Sequence, residues 1–159
     1  MDCQRGIVSI YAKDQPDFPT RAAAVLDAAR RAGMTIVHVQ VGFRPNLPEV
    51  SARNALFAAI KSSPQHQKLF EGETGAIHPA LGPADGDVVV TKHRVDAFHG
   101  TDLEVILRAK EIETLVLFGI ATSGVVLSTL LHACLIEKLF PRRATVMSAA
   151  DFLETMSRS

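Results

Sequence analysis

The sequence predicts an α/β fold, a mainly parallel sheet with helices on both faces. Three observations predict it. Residues 34–41 (MTIVHVQV), 87–91 (DVVVT) and 114–118 (TLVLF) are short β-branched and apolar runs, the composition of strands buried on both faces. Segments with helical spacing of apolar residues separate them, and strands alternating with helices build parallel sheets. The chain has 159 residues, 47% hydrophobic and 21% charged. That suffices for one domain with a sizeable core and is far from a disordered composition.

The elements follow in order. Residues 19–32 place Ala22, Val25, Leu26 and Ala29 on one helical stripe, begun by Pro19 or Thr20 and stopped by Gly33. The strand over 34–41 comes next. Residues 51–60 read as a short helix with Leu56, Phe57 and Ile60 inward. Residues 61–86 carry Pro64, Pro79, Pro83 and several glycines and read as mostly loop. After the strand over 87–91, residues 101–110 form a helix with a T-x-x-E capping box, Thr101 with Glu104. Its inner face is Leu103, Ile106 and Leu107. The strand over 114–118 runs into Gly119, and a helix begins near Ser123 or Gly124 and passes through Leu127, Leu130 and Leu131. Residues 144–148 are a last short strand candidate.

Charge excludes several function classes. Lys plus Arg is 17 and Asp plus Glu is 17, a formal net charge of zero. A general nucleic-acid binder or a polybasic membrane anchor would need a basic surplus. No apolar run approaches the roughly 20 residues that span a bilayer. Asp2, Gln4 and Arg5 interrupt any early apolar run, so no signal peptide is expected at this start. Cys3 and Cys134 make no disulfide framework, which points to a reducing cytoplasm. Neither G-x-G-x-x-G nor a P-loop motif occurs, so a dinucleotide or P-loop site is not expected.

In open parallel sheets, ligands sit beyond the C-terminal ends of the strands. Lys92 stands where its strand ends, in the segment KHRVDAFHGTDL. Gly119 closes another strand and opens GIATSGVVLST, a tight turn into a helix N-terminus. Such a turn presents backbone N–H groups to developing negative charge. The chain opens with MDCQRG, which places Asp2 two residues before Gln4.

MDCQRG, KHRVDAFHGTDL and GIATSGVVLST, in this order, resemble the isochorismatase-like cysteine hydrolase superfamily. The resemblance covers nearly the whole chain. It implies a Rossmann-like three-layer sandwich, assembled as a homodimer or larger homo-oligomer, acting on a small molecule. The Asp of the family's D-x-Q motif maps onto Asp2 and the Lys of its K-x-R motif onto Lys92. The nucleophilic Cys of G-x-x-T-x-x-C maps onto Val125. Valine carries no nucleophile, so thioester chemistry cannot run there. Isochorismatases also lack that Cys; their Asp acts as general acid and water completes hydrolysis. FHGTDL is similar to that branch, while Gly42 and Phe43 stand where its glutamine belongs. The resemblance therefore implies acid/base hydrolysis of a small carboxylate-bearing or amide-like metabolite, with Asp2 as acid/base and Lys92 as its charge partner. Backbone N–H groups near Ala121 and Val125 would bind an oxyanion or carboxylate. Phe98, Arg44 and Gln4 are the substrate-binding candidates. A cis peptide is expected at Ile120–Ala121, and no cofactor is implied. The alternative is a non-catalytic binding or assembly protein that keeps the fold.

The resemblance also implies that this single domain, residues 1–159, lacks its first strand ahead of D-x-Q and a segment near Ala133 and Cys134. The bland readings stand beside the functional ones. Arg44 is an ordinary exposed arginine, Val125 a core or pocket-wall residue, and Phe98 pocket wall or core. Ser123 reads as a helix cap and Cys134 as a buried small hydrophobe. Cys3 is placed on the opposite side of its strand from Asp2. His38, His66, His78, His93, His99 and His132 show no H-x-x-x-H or H-E-x-x-H spacing, so metal binding is not expected. His38 reads as a core histidine.

Overall fold

A computed structural model describes residues 1–135 and 147–157. Helix α1 spans Arg5–Tyr11 and α2 spans Phe18–Arg31. The α2 stripe buries Ala22, Val25, Ala28 and Ala29. Its end is a Schellman closure: Gly33, at φ 70°, donates to the Arg30 carbonyl, and Met34 N–H donates to the Ala29 carbonyl. The chain then enters strand β1, Val37–Val41.

The segment between the strands is more ordered than its composition predicts. Helix α3 (Ala55–Ser62) starts under the Asn54 side chain, which accepts from Leu56 N and Phe57 N. Phe57 turns inward as predicted, but Leu56 is 64% exposed, a correction to the inward stripe. Short helices α4 (Pro64–Lys68) and α5 (Gly72–Gly75) and a 3-10 turn at Pro79–Leu81 follow.

Strand β2, Val88–Lys92, pairs parallel to β1 with Val37 opposite Val88 and Val41 opposite Lys92. Helix α6 runs Leu103–Ala109. The expected capping box does not form. The Thr101 hydroxyl accepts from Leu103 N–H at 3.2 Å, while Glu104 pairs with Arg108 at 2.8 Å, so the helix begins two residues late.

Residues 114–118 do not join a ladder, which corrects the third predicted strand. Met1 and Asp2 lie between them and β1. Met1 N donates to the Phe118 carbonyl at 2.7 Å, Ile120 N–H donates to the Met1 carbonyl, and Asp2 N–H donates to the Val39 carbonyl. Elsewhere an apolar cavity of about 510 Å³ separates 114–118 from β1, with Leu103 and Leu107 behind it. The described sheet therefore has two parallel strands. The α/β character stands on that pair and its helices.

A turn at Thr122–Val126 leads into α7 (Leu127–Leu135), which passes through Ala133 and Cys134 as one helix. Cys134 is exposed, not buried as expected. Of the strand candidate at 144–148, residues 144–146 lie outside the described residues, and 147–148 are not strand. Helix α8 (Ala149–Ser157) packs on α2 and buries Phe152. One core cluster joins Val39, Val90, Ala97, Phe98, Leu103, Leu107 and Ala133; another joins Ile7, Val8, Ala12, Val41 and Ile120.

Candidate active site

Lys92 ends β2, and its side chain is 2% exposed. A buried ammonium needs every proton satisfied. It has the Asp2 carboxylate at 3.0 Å and donates to the Arg94 carbonyl at 3.0 Å and the Val95 carbonyl at 2.9 Å. The carbonyls come from a loop that the sequence reading did not single out as a support. Asp96 Oδ1 accepts from Phe98 N–H and His99 N–H and meets His132 Nδ1 at 2.8 Å. Ala97 N–H donates to the Thr129 hydroxyl at 3.0 Å. His132 and Thr129 belong to α7, so α7 fixes the loop that fixes Lys92. The D-x-F-H spacing of Asp96, Phe98 and His99 is the available signal, an Asx-type turn.

Asp2 is buried and sits at φ 57°, the left-handed region that a non-glycine residue rarely holds. One oxygen faces Lys92. The other, Oδ1, is buried with no hydrogen-bond partner among the described residues. Burial pushes this carboxyl above its ordinary 3.8, against the opposing pull of Lys92 and the chain-terminal ammonium. A carboxyl with raised proton affinity, one oxygen on a cation and one unengaged, suits general acid/base chemistry.

Gln4 is wholly buried. Its Oε1 accepts from Val41 N–H at 2.7 Å, and its Nε2 donates to the Val41 carbonyl at 2.9 Å and the Gly75 carbonyl at 2.7 Å. With these three bonds Gln4 holds the backbone around Asp2.

The turn after residue 118 depends on Gly119. A Cβ there would stand 2.5 Å from the Met1 carbonyl oxygen. Ala121 then takes φ 62°. All described peptide bonds are trans, so the cis bond expected at Ile120–Ala121 is corrected: the left-handed Ala121 reverses the chain instead. Ala121 is exposed, and its N–H carries no hydrogen bond among the described residues. Val125 is 2% exposed within the turn, and exposed Ser123 caps nothing.

Phe98 lies in the core, its ring 5.3 Å from His132. Arg44 is exposed in the loop after β1. Glu49 was not foreseen. Its carboxylate accepts from Arg44 N–H at 2.6 Å and lies 3.6 Å from His93. Burial raises its pKa, but that hydrogen bond and the His93 and Arg44 charges carry the net shift downward. Cys3 lines the apolar cavity, its thiol 3.4 Å from the Met1 carbonyl and held above its ordinary pKa by burial. His38 is buried against Asp87 at 3.0 Å. Among the described residues no group of three His, Cys, Asp or Glu side chains is placed to hold a metal.

The isochorismatase domain profile matches residues 1–150. The chain belongs to the isochorismatase family. It is 38% identical over 120 residues to the ureidoacrylate amidohydrolase RutB of Methylorubrum extorquens, an alignment covering 69% of this chain and 48% of that protein. The corresponding protein of Cronobacter sakazakii is likewise 38% identical, with 69% and 52% covered. The chain thus spans about half the length of the curated relatives it matches. Among solved structures, an isochorismatase family protein from Burkholderia thailandensis superposes with a TM-score of 0.77 at 28% identity, covering 98% of this chain and 92% of that one. N-carbamoylsarcosine amidase from Thermoplasma acidophilum superposes with a TM-score of 0.59 at 25% identity, covering 88% and 76%. Among the described residues of this isochorismatase-family chain, no helix is long and apolar enough to cross a membrane.

Proposed function

We propose that this chain is an isochorismatase-family hydrolase that works without a cysteine nucleophile, Val125 standing at the thiol position. The observation that carries this reading is the buried Asp2–Lys92 pair with its unengaged Oδ1. The named activities of the relatives support hydrolysis of a small amide-like or carboxylate-bearing metabolite. In the forward step Asp2 donates its proton to the substrate atom whose bond to carbon breaks or to the carbon that takes it up. Lys92 stabilises the resulting carboxylate. Water then adds to the electrophilic carbon and its proton returns to Asp2, so the site ends as it began. In this reading the backbone N–H groups near Ala121 and Val125 bind the developing negative charge. No cofactor enters this scheme. The same reading carries a cytoplasmic location and assembly as a homodimer or larger, supported by Leu127 and Leu131, exposed one turn apart on α7.

The test is hydrolysis by the full chain of isochorismate, ureidoacrylate and a panel of primary amides. We expect turnover of at least one substrate and a loss of about 100-fold or more in Asp2→Asn, the scale of a general acid/base contribution. No turnover, with ligand binding intact, would instead make this a binding or assembly protein. Val125→Cys probes the position itself: a thioester intermediate detected by mass spectrometry with an amide substrate places the residue where a nucleophile reaches, and its absence removes that assignment.

A further inference from the structure

A second cleft, of about 550 Å³, opens beyond the C-terminal end of β1 between the 43–47 loop and the segment from Lys61 to Glu71. It starts at Phe43, two residues past Val41, the β1 residue in register with Lys92. Phe43 and Phe70 line it with ring centroids 5.3 Å apart at 86°, an aromatic corner. Two cations line it, one from each side. The Arg44 guanidinium makes no hydrogen bond among the described residues, and its ion pair to Glu49 is long, 3.9 Å. The Lys61 ammonium donates to the Val50 carbonyl at 2.8 Å, which leaves two of its protons unspent. Glu71 is the acid on this lining and is exposed.

The loop is held in a costly shape. Asn46 and Leu47, consecutive and neither a glycine, stand at φ 65° and 51°. The Leu47 N–H to Arg44 carbonyl bond ties that shape down. Consecutive left-handed residues in a cleft wall are the kind of strain that clusters where a loop is shaped for a ligand.

We propose that this cleft is a carboxylate-recognition subsite: a small planar monoanion lies in the Phe43–Phe70 corner with its carboxylate between Arg44 and Lys61. Arg44 offers the planar fork that a carboxylate takes through two hydrogen bonds, and Lys61 adds a point charge. The subsite rests on the hydrolase reading only in calling its ligand the substrate.

The test uses benzoate and its neutral isostere benzamide, titrated into the full chain by calorimetry. A charge-assisted contact at a half-exposed site is worth about a tenfold change in affinity. Benzoate should bind about tenfold tighter than benzamide. Arg44→Gln and Lys61→Gln should each remove about that factor for benzoate and leave benzamide unchanged. Both side chains are on the surface, and an unaltered circular dichroism spectrum confirms that the variants fold. Equal binding of the two probes, or benzoate affinity untouched by both variants, overturns the subsite. The two readings fail separately. Selective benzoate binding without hydrolysis of any substrate leaves the subsite and removes the hydrolase. Hydrolysis of a substrate with benzoate and benzamide bound equally does the reverse.

Discussion

The Asp2 carboxylate and the Lys92 ammonium meet at 3.0 Å, both almost wholly buried. A buried pair is costly to break and cheap to replace whole, because removing one partner strands the other charge. Lys92→Met should therefore cost about 3–5 kcal/mol in urea unfolding at pH 7. The double variant Asp2→Asn, Lys92→Met should recover most of that loss. If the single and double variants are equally unstable, the pair is not electrostatically coupled.

Asp2 titrates above its ordinary 3.8 because burial disfavours its charge. Its proton is bound more tightly in the folded chain than in the unfolded one. The stability this contributes is full below 3.8 and is lost as pH rises through the raised folded value. A carbon-13 carboxyl titration should show one Asp midpoint above 3.8 that Asp2→Asn abolishes and Lys92→Met moves higher still. An acid-catalysed reaction should slow on the alkaline side of that midpoint.

Asp87 has the opposite sign. It is held by Arg30 at 2.6 Å, His38 at 3.0 Å and the Ala84 N–H at 3.0 Å. Burial raises its pKa, but these partners outweigh it and bring it to about 2. Its contribution is full above 3.8 and disappears as pH falls toward about 2. Asp87→Asn should cost about 1–3 kcal/mol at neutral pH, the price of leaving a buried polar partner unmet. It should also flatten the acid limb of the stability curve between pH 4 and pH 2. A limb identical to wild type would show that another group unfolds the protein there.

Gly119→Ala puts a methyl group 2.5 Å from the Met1 carbonyl oxygen. Backbone, not a flexible side chain, must give way, and overpacking of this kind costs about 1–3 kcal/mol. Thermal unfolding reads the loss. Because Met1 adjoins Asp2, the Asp2 carboxyl resonance should shift as well. Gly33→Ala, which meets no atom within 4 Å, is the control for strain without collision: it should destabilise without moving that resonance.

Short-range signals explain what was legible in the sequence. The α2 stripe, β1 and β2 follow from spacing and composition within their own residues, and Asp2 and Lys92 from motifs at the chain start and a strand end. The third run, TLVLF, has strand composition, but strand assignment depends on ladder partners far away in sequence, and among the described residues 114–118 join no ladder. Composition cannot report that. The α6 start was misplaced because the Thr101 hydroxyl also donates to the Ala97 carbonyl at 2.6 Å, a tie to the loop before the helix. The support of Lys92 is hard to read because its acceptors are the carbonyls of Arg94 and Val95, while the Asp96, Thr129 and His132 side chains act one step removed by holding that loop. For Gln4 the motif marks the residue but not its partners: its amide bonds to Val41 and Gly75 join positions far apart in the chain.

Those bonds give the D-x-Q spacing a mechanical meaning. Gln4 meets both the N–H and the carbonyl of Val41, as the peptide group of a neighbouring strand would. The main chain can therefore leave the sheet at Asp2 and coil into α1 while the last rung of β1 stays closed by a side-chain amide. Two residues is the reach that lets one residue turn away and another take its place. On this view the glutamine is a splice, and the acid is aimed by the departure that the splice permits.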